Sequence, residues 1–145
     1  MGIFNSMQIN TSGLNLERLK LDVISSNIAN VNTTRTPEGG PYLRKEVTFE
    51  ESINRQKSYL TGKISDTSFG VRSTGIIENE ENTKLVFEPE HPDADENGYV
   101  TYPNVDMADE MIELMTTIRT YEANVTAMNA SKAMLNKALQ ISQGQ

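Results

Sequence analysis

Asp93, Asp95, Asn97 and Gly98 have the spacing that opens an EF-hand loop, Asp-x-Asp-x-Asn-Gly. In such a loop alternating oxygens converge on one cation and the glycine makes the sharp turn. The closing position is wrong for it. Twelfth from Asp93 stands Asn104, which has no carboxylate to bind bidentately; Pro103 precedes it, and no helical pattern flanks the loop on its N-terminal side. A turn at Asn97-Gly98, with a strand beginning at Tyr99, accounts for the same residues without an ion. His91, the only histidine, lies between Glu90 and Pro92 with no second ligand type or nucleophile nearby, and reads as a loop residue rather than a proton carrier. With zero Cys there are no disulfides, thiolate metal sites or Cys nucleophiles, and one His cannot build a zinc site or a Ser-His pair. The expectation is a protein that is not an enzyme, with no catalytic residue, no metal, no cofactor and no small-molecule substrate.

Charge removes further classes. In 145 residues, 13 Lys plus Arg face 20 Asp plus Glu, a formal net charge of -7. Nucleic acid and anionic membrane surfaces both call for concentrated Lys and Arg, so no nucleic-acid partner is expected. From Glu78 to Glu96 eight acids face only Lys84, which reads as a solvated face or as a surface docking on Arg35, Arg44, Lys45 and Arg55 of a neighbour. The hydrophobic fraction of 37% is low for a self-contained domain, so partner surfaces are expected to complete the burial. No apolar run approaches the roughly 20 residues of a membrane span. The start MGIFNSMQINTSG lacks the basic and apolar blocks of a cleaved signal peptide.

Two helices must frame this composition. Met7, Leu14, Leu21 and Ile28 recur seven apart, with Phe4, Ile24 and Val31 in the three- and four-residue steps, and the pattern stops at Asn30 to Thr34 before Pro37. Gly13 weakens this helix, and Thr11 or Ser12 offers an N-cap from which it can restart. Near the other end, Met107, Met111, Leu114, Ile118, Tyr121, Val125, Met128, Lys132, Leu135 and Leu139 follow three-four spacing, apolar except for Lys132, with Asn104 as the expected N-cap. That helix would run roughly 55 Å at 1.5 Å per residue. Between the helices lie β-prone runs at Tyr42 to Phe49, Phe69 to Ile77, Thr83 to Glu88 and Tyr99 to Tyr102, while 50 to 66, with Tyr59 and Leu60, reads as irregular or short helix.

The predicted fold is α+β: N- and C-terminal helices paired as an antiparallel coiled coil, with a small antiparallel β-rich unit inserted between them. The expected division is 1–34 (first helix), 35–103 (β-rich middle) and 104–145 (last helix). Neither helix buries its stripe alone. Ala108, Ile112, Met115, Met134, Ala138 and Ile141 widen the band on the last helix beyond what one partner covers, which points to lateral packing in a polymer. A soluble coiled-coil adaptor or interaction module is the alternative. The residues expected to carry subunit packing are Leu14, Leu21, Ile24, Ile28, Asn27, Asn30, Leu114, Ile118, Tyr121, Val125, Met128, Leu135 and Leu139. Asn27, Asn30 and Asn32 also suit a helix end, where they cap and turn the chain.

Four segments carry a family resemblance. SSNIANVNT (Ser25 to Thr33) resembles the signature of the bacterial flagellar axial proteins, those of the rod and hook. GGPYLRKEVTF (Gly39 to Phe49), EPEHPDADENGYVTYPNVDMADEM (Glu88 to Met111) and RTYEANVTAMNASKAMLNKALQI (Arg119 to Ile141) are similar to the proximal rod type within it. Many axial proteins carry Gly and an aromatic after the signature, whereas Thr34, Arg35, Thr36 and Pro37 follow here, which points away from the hook and distal rod. The resemblance implies a polymerising subunit of the basal-body rod. That rod is the drive shaft that crosses the periplasm and envelope, transmits torque for motility and encloses the export channel. It also implies paired terminal helices lining that channel, with the Asn27 to Asn32 junction fixing how they join the β part. The partners it implies are copies of itself, other flagellar rod proteins and a basal-body adaptor at the rod base, with passage through the flagellar type III export apparatus without signal cleavage.

Overall fold

A computed structural model describes residues 3–57 and 64–143. The element order is α1 (Ile3–Ala29), β1 (Arg44–Lys57), β2 (Ile64–Asn79), β3 (Lys84–Phe87), β4 (Tyr99–Tyr102) and α2 (Met107–Gln143). β1 and β2 form one two-stranded sheet, β3 and β4 another. The second is antiparallel, with Lys84 opposite Tyr102 and Phe87 opposite Tyr99. Two terminal helices with β structure between them is the α+β arrangement expected.

Three local expectations are corrected. α1 runs unbroken through Gly13: the Thr11 hydroxyl donates to the Met7 carbonyl at 2.8 Å and the Ser12 hydroxyl to that of Ile9 at 2.7 Å, so both work within the helix and neither restarts it. α2 is capped by Asp106, whose Oδ1 accepts from the Ala108 N–H at 2.9 Å; Asn104 is occupied elsewhere. Residues 50–57 continue β1 and 64–66 begin β2, so most of the stretch read as irregular is strand. Tyr59 and Leu60 lie outside the described residues.

The chain divides into two compact units. The first holds Met1–Leu19, Phe49–Thr74 and Thr117–Gln145. Among its described residues the buried side chains are Leu16, Glu17, Thr117 and Ser131, only one of them a large apolar group. A Cβ on Gly13 would meet Asn124 Nδ2 at 3.1 Å, so the missing side chain is what lets the α1 backbone approach α2 here. Gly70 in β2, at φ +102°, presses on Ser12, whose hydroxyl accepts from the Val71 N–H at 3.1 Å.

The second unit holds Lys20–Thr48 and Gly75–Thr116. Its apolar core is Val23, Ile24, Tyr42, Val47, Val100 and Val105, with Pro103, Asn27 and Glu110 fully buried among them. α1 ends at Ala29, where the Asn30 side-chain amide donates to the Ser26 carbonyl at 2.9 Å and the Thr33 hydroxyl to Asn30 Oδ1 at 3.2 Å.

Candidate functional site

The side chains of the second unit converge on Asn27, in the last turn of α1. Asn27 is 1% exposed and all its hydrogen-bonding capacity is used. Its Oδ1 accepts from the Tyr42 hydroxyl at 2.9 Å and the Lys45 N–H at 3.0 Å, while its Nδ2 donates to the Lys45 carbonyl at 2.9 Å and to Glu110 Oε2 at 3.1 Å. By engaging both main-chain groups of Lys45 the amide does for β1 what a neighbouring strand would do, and so ties the strand to the helix. Glu110, on the first turn of α2, is 0% exposed. Its second oxygen accepts from Arg44 Nε at 2.6 Å, and Arg44 Nη2 reaches Glu113 at 2.9 Å. The guanidinium is held above its ordinary range first by the Glu110 hydrogen bond, opposed by burial and aided by the charges of Glu110, Glu113 and Glu46.

Asn104 completes the junction. Its Oδ1 accepts from the Arg44 N–H at 2.8 Å, and its Nδ2 donates to the carbonyls of Asn79 and Glu81 at 2.8 and 2.7 Å. One side chain thus fixes the start of β1 and the end of β2, which leaves the capping of α2 to Asp106. Four elements, α1, β1, β2 and α2, meet at a fully satisfied polar network, a geometry that rigidifies because every alternative leaves a buried group unpaired.

Arg44 and Lys45 were candidates for docking on a neighbour's acids. They pair inside the chain instead, Arg44 as above and Lys45 with Glu78 at 3.2 Å, a contact that raises the Lys45 ammonium above its ordinary range. Arg35 likewise lies 3.6 Å from Asp93. The acidic turn is also occupied: Asp93 Oδ2 accepts from the Thr34 hydroxyl at 2.8 Å, and Asp95 Oδ1 accepts from the N–H groups of Asn97 and Tyr99, both at 2.8 Å. Those amides hold the Asp95 carboxyl below its ordinary range, the Tyr99 bond foremost. His91 Nδ1 accepts from the Asp93 N–H at 3.1 Å. Among the described residues no group of three or more His, Cys, Asp or Glu side chains is placed to hold a metal ion, and no helix is long and apolar enough to cross a membrane.

The expected packing residues divide by depth. Ile24 and Asn27 are buried; Leu14, Leu21, Ile28, Asn30, Leu114, Val125, Met128 and Leu135 are half-buried; Ile118, Tyr121 and Leu139 are exposed at 41%, 37% and 52%. The deepest row of α2 is not the apolar seam. It is Glu110, Thr117 and Ser131, with Asn124 half-buried between them, a seven-residue repeat of polar groups. Within the first unit Gly13 of α1 lies against Asn124 of α2, and within the second Asn27 of α1 meets Glu110 of α2. Outside this row Met107, Met111, Ile112, Met115, Ile118, Met134, Leu139 and Ile141 all stand exposed. Arg44, Glu110, Tyr42 and Asn104 are not among the residues expected to carry subunit packing; the polar repeat from Glu110 is the available signal.

A family model described as Flagella basal body rod protein matches residues 7–35, and one described as Flagellar basal body rod FlgEFG protein C-terminal matches residues 96–141. The flagellar basal-body rod protein FlgC of Borreliella burgdorferi is 42% identical, covering 99% of this chain and 100% of the relative. That of Bacillus subtilis is 43% identical over 97% of this chain and 99% of its own length, and that of Salmonella typhimurium 37% over 99% and 100%. The chain belongs to the FlgC family of flagellar basal-body rod proteins. The matched ends of this FlgC-family chain contain both sides of the buried junction, Asn27 on α1 and Glu110 on α2, as well as all the exposed apolar residues named on α2.

Proposed function

We propose that this chain is a structural subunit of the bacterial flagellar basal-body rod, assembling with copies of itself and with other flagellar rod proteins into the shaft that carries torque and encloses the export channel. Its work is mechanical rather than catalytic. The observation that carries this reading is an inversion on α2: its buried positions are the polar Glu110, Thr117 and Ser131, while Met111, Ile112, Met115, Ile118, Met134, Leu139 and Ile141 are exposed. So many exposed apolar side chains on one helix of a chain of net charge -7 are expected to be buried against neighbours. The half-buried residues Leu14, Leu21, Ile28, Leu114, Val125, Met128 and Leu135 would complete their burial there, and the Asn27 and Asn30 junction would hold the angle between helices and β part. The finer partners belong to the same proposal: a basal-body adaptor at the rod base, and the flagellar type III export apparatus, through which the chain passes unfolded without signal cleavage.

The test is Ile118→Asp. Ile118 is 41% exposed on the outward row, so the change should cost little in the free chain and several kcal/mol in the rod, where a carboxylate would be buried without a partner. Secretion blots should show the variant exported, and swimming should be lost. Normal motility in cells carrying only this variant would show that the row is not buried in the rod. A discrete dimer or tetramer in solution whose apolar row is already covered would favour the adaptor reading instead.

A further inference from the structure

The helices do not account for a second exposed apolar face, on the β3–β4 sheet. All four residues of β3 are exposed, and strand alternation puts Leu85 and Phe87, with their cross-strand partners Thr101 and Tyr99, on one side. Leu85 is 69% exposed, Phe87 61% and Tyr99 44%, whereas Val100 on the opposite side is 1% exposed and belongs to the core. The patch is a formed surface: the Phe87 and Tyr99 rings meet edge to face at 5.3 Å, and Phe87 lies over Gly98, where a Cβ would come within 3.0 Å of its ring.

Its border is acidic and only partly neutralised. The loop joining β3 to β4 carries Glu88, Glu90, Asp93, Asp95 and Glu96. The cations at hand are spent, Lys84 on Asp106 at 3.6 Å and Arg35 on Asp93 at 3.6 Å, and no ion pair is formed by Glu90 or Glu96 among the described residues. A second copy of this chain offering the same face would set acids against acids, and an anionic membrane or nucleic acid is repelled for the same reason. We infer that the Leu85–Phe87–Tyr99 face is a docking surface for a different protein, one that presents an apolar patch bordered by Lys and Arg. The inference rests on the fold of this unit and not on the rod reading; it would hold for a soluble adaptor as well.

The experiment is photocross-linking in the native cell, with p-benzoylphenylalanine in place of Leu85, and in a parallel strain in place of Ile118. Position 85 should cross-link to a protein other than this chain, at a peptide with an excess of Lys and Arg. Glu90→Lys together with Glu96→Lys should reduce that adduct about tenfold while leaving the position 118 adducts unchanged, since border charges act mainly on encounter. The inference is overturned if position 85 gives no adduct, gives adducts only with copies of this chain, joins a peptide without basic excess, or gives an adduct indifferent to the charge reversal. Position 118 reports on the helical face alone, so a failure of the rod reading and a failure of this inference are read from different bands.

Discussion

Asn27→Asp is the sharpest probe of the junction, because it changes no heavy-atom volume and reverses one half of the hydrogen bonding. Nδ2 donates to the Lys45 carbonyl at 2.9 Å and to Glu110 Oε2 at 3.1 Å. An oxygen there faces two acceptors, one of them a fully buried carboxylate. Two unit charges about 3 Å apart repel by about 5 kcal/mol at an effective dielectric constant of about 20. Proton uptake limits that cost: protonating a carboxyl of ordinary pKa about 4 at pH 7 takes about 4 kcal/mol. The added proton can restore the bond to Glu110, but the Lys45 carbonyl still loses its donor, worth about 1 to 3 kcal/mol. Allowing for relaxation, the variant should lose about 3 to 5 kcal/mol at neutral pH. The sign with pH follows from the same step. The folded variant holds a proton that its unfolded chain releases near pH 4, so its stability falls as pH rises, by up to about 1.4 kcal/mol per unit. Urea unfolding followed by far-UV circular dichroism at about pH 5 and about pH 7 should show the deficit growing with pH. Adding Glu110→Gln supplies a neutral partner whose amide donates to the introduced carboxylate and whose oxygen still accepts from Arg44, so the double variant should recover about 2 kcal/mol of coupling. Equal losses from Asn27→Asp with Glu or with Gln at position 110 would refute the claim that these two side chains meet.

Gly70→Ala should destabilise the first unit by about 2 to 3 kcal/mol, since the residue sits at φ +102° and its Cβ would fall 2.0 Å from Ser12 Oγ, displacing the hydroxyl that accepts from Val71. A thermal midpoint within a degree or so of the parent would mean that β2 does not press on α1 there. The Asp106 carboxyl is held below its ordinary range first by the Ala108 N–H and then by Lys84. A depressed folded value contributes stability above the unfolded value of 3.8 that is lost as pH falls through the folded one, so Asp106→Asn, which keeps the cap, should flatten the acid limb of a stability profile below about pH 4. An acid limb identical to the parent's would remove Asp106 from the account.

The elements were largely legible because they depend on local rules. Seven-residue repeats placed both helices, the Asn-rich stretch before Pro37 ended the first, and β-prone runs placed all four strands. Errors fell where distant residues decide. Asn104 and Asp106 are both good caps by type; the choice is made by the Arg44 N–H and the carbonyls of Asn79 and Glu81, all remote in sequence. Residues 50–57, ESINRQK after Glu50, lack apolar alternation, and their strand is held by pairing with β2. Gly13 read as a weak point in a helix because its reason, the approach of Asn124, lies on the other helix.

The rotated face of α2 has the same kind of cause. Periodicity finds the most apolar stripe of a helix, but the stripe that packs inside the chain is selected by what lets two backbones approach and by which polar groups find partners, here Gly13 with Asn124 and Asn27 with Glu110. A seam of Leu and Met tolerates a shift of one turn, since one apolar contact replaces another. A row built on Glu110 does not: sliding by a turn leaves a fully buried carboxylate without Arg44 or Asn27, at a cost of about 3 to 5 kcal/mol. Register within the subunit is thereby fixed by polar groups, and the apolar stripe is left outside. If the rod reading holds, that division lets each copy reach its neighbours with one helix register already set, and the contacts between copies can be broad and apolar without having to specify it.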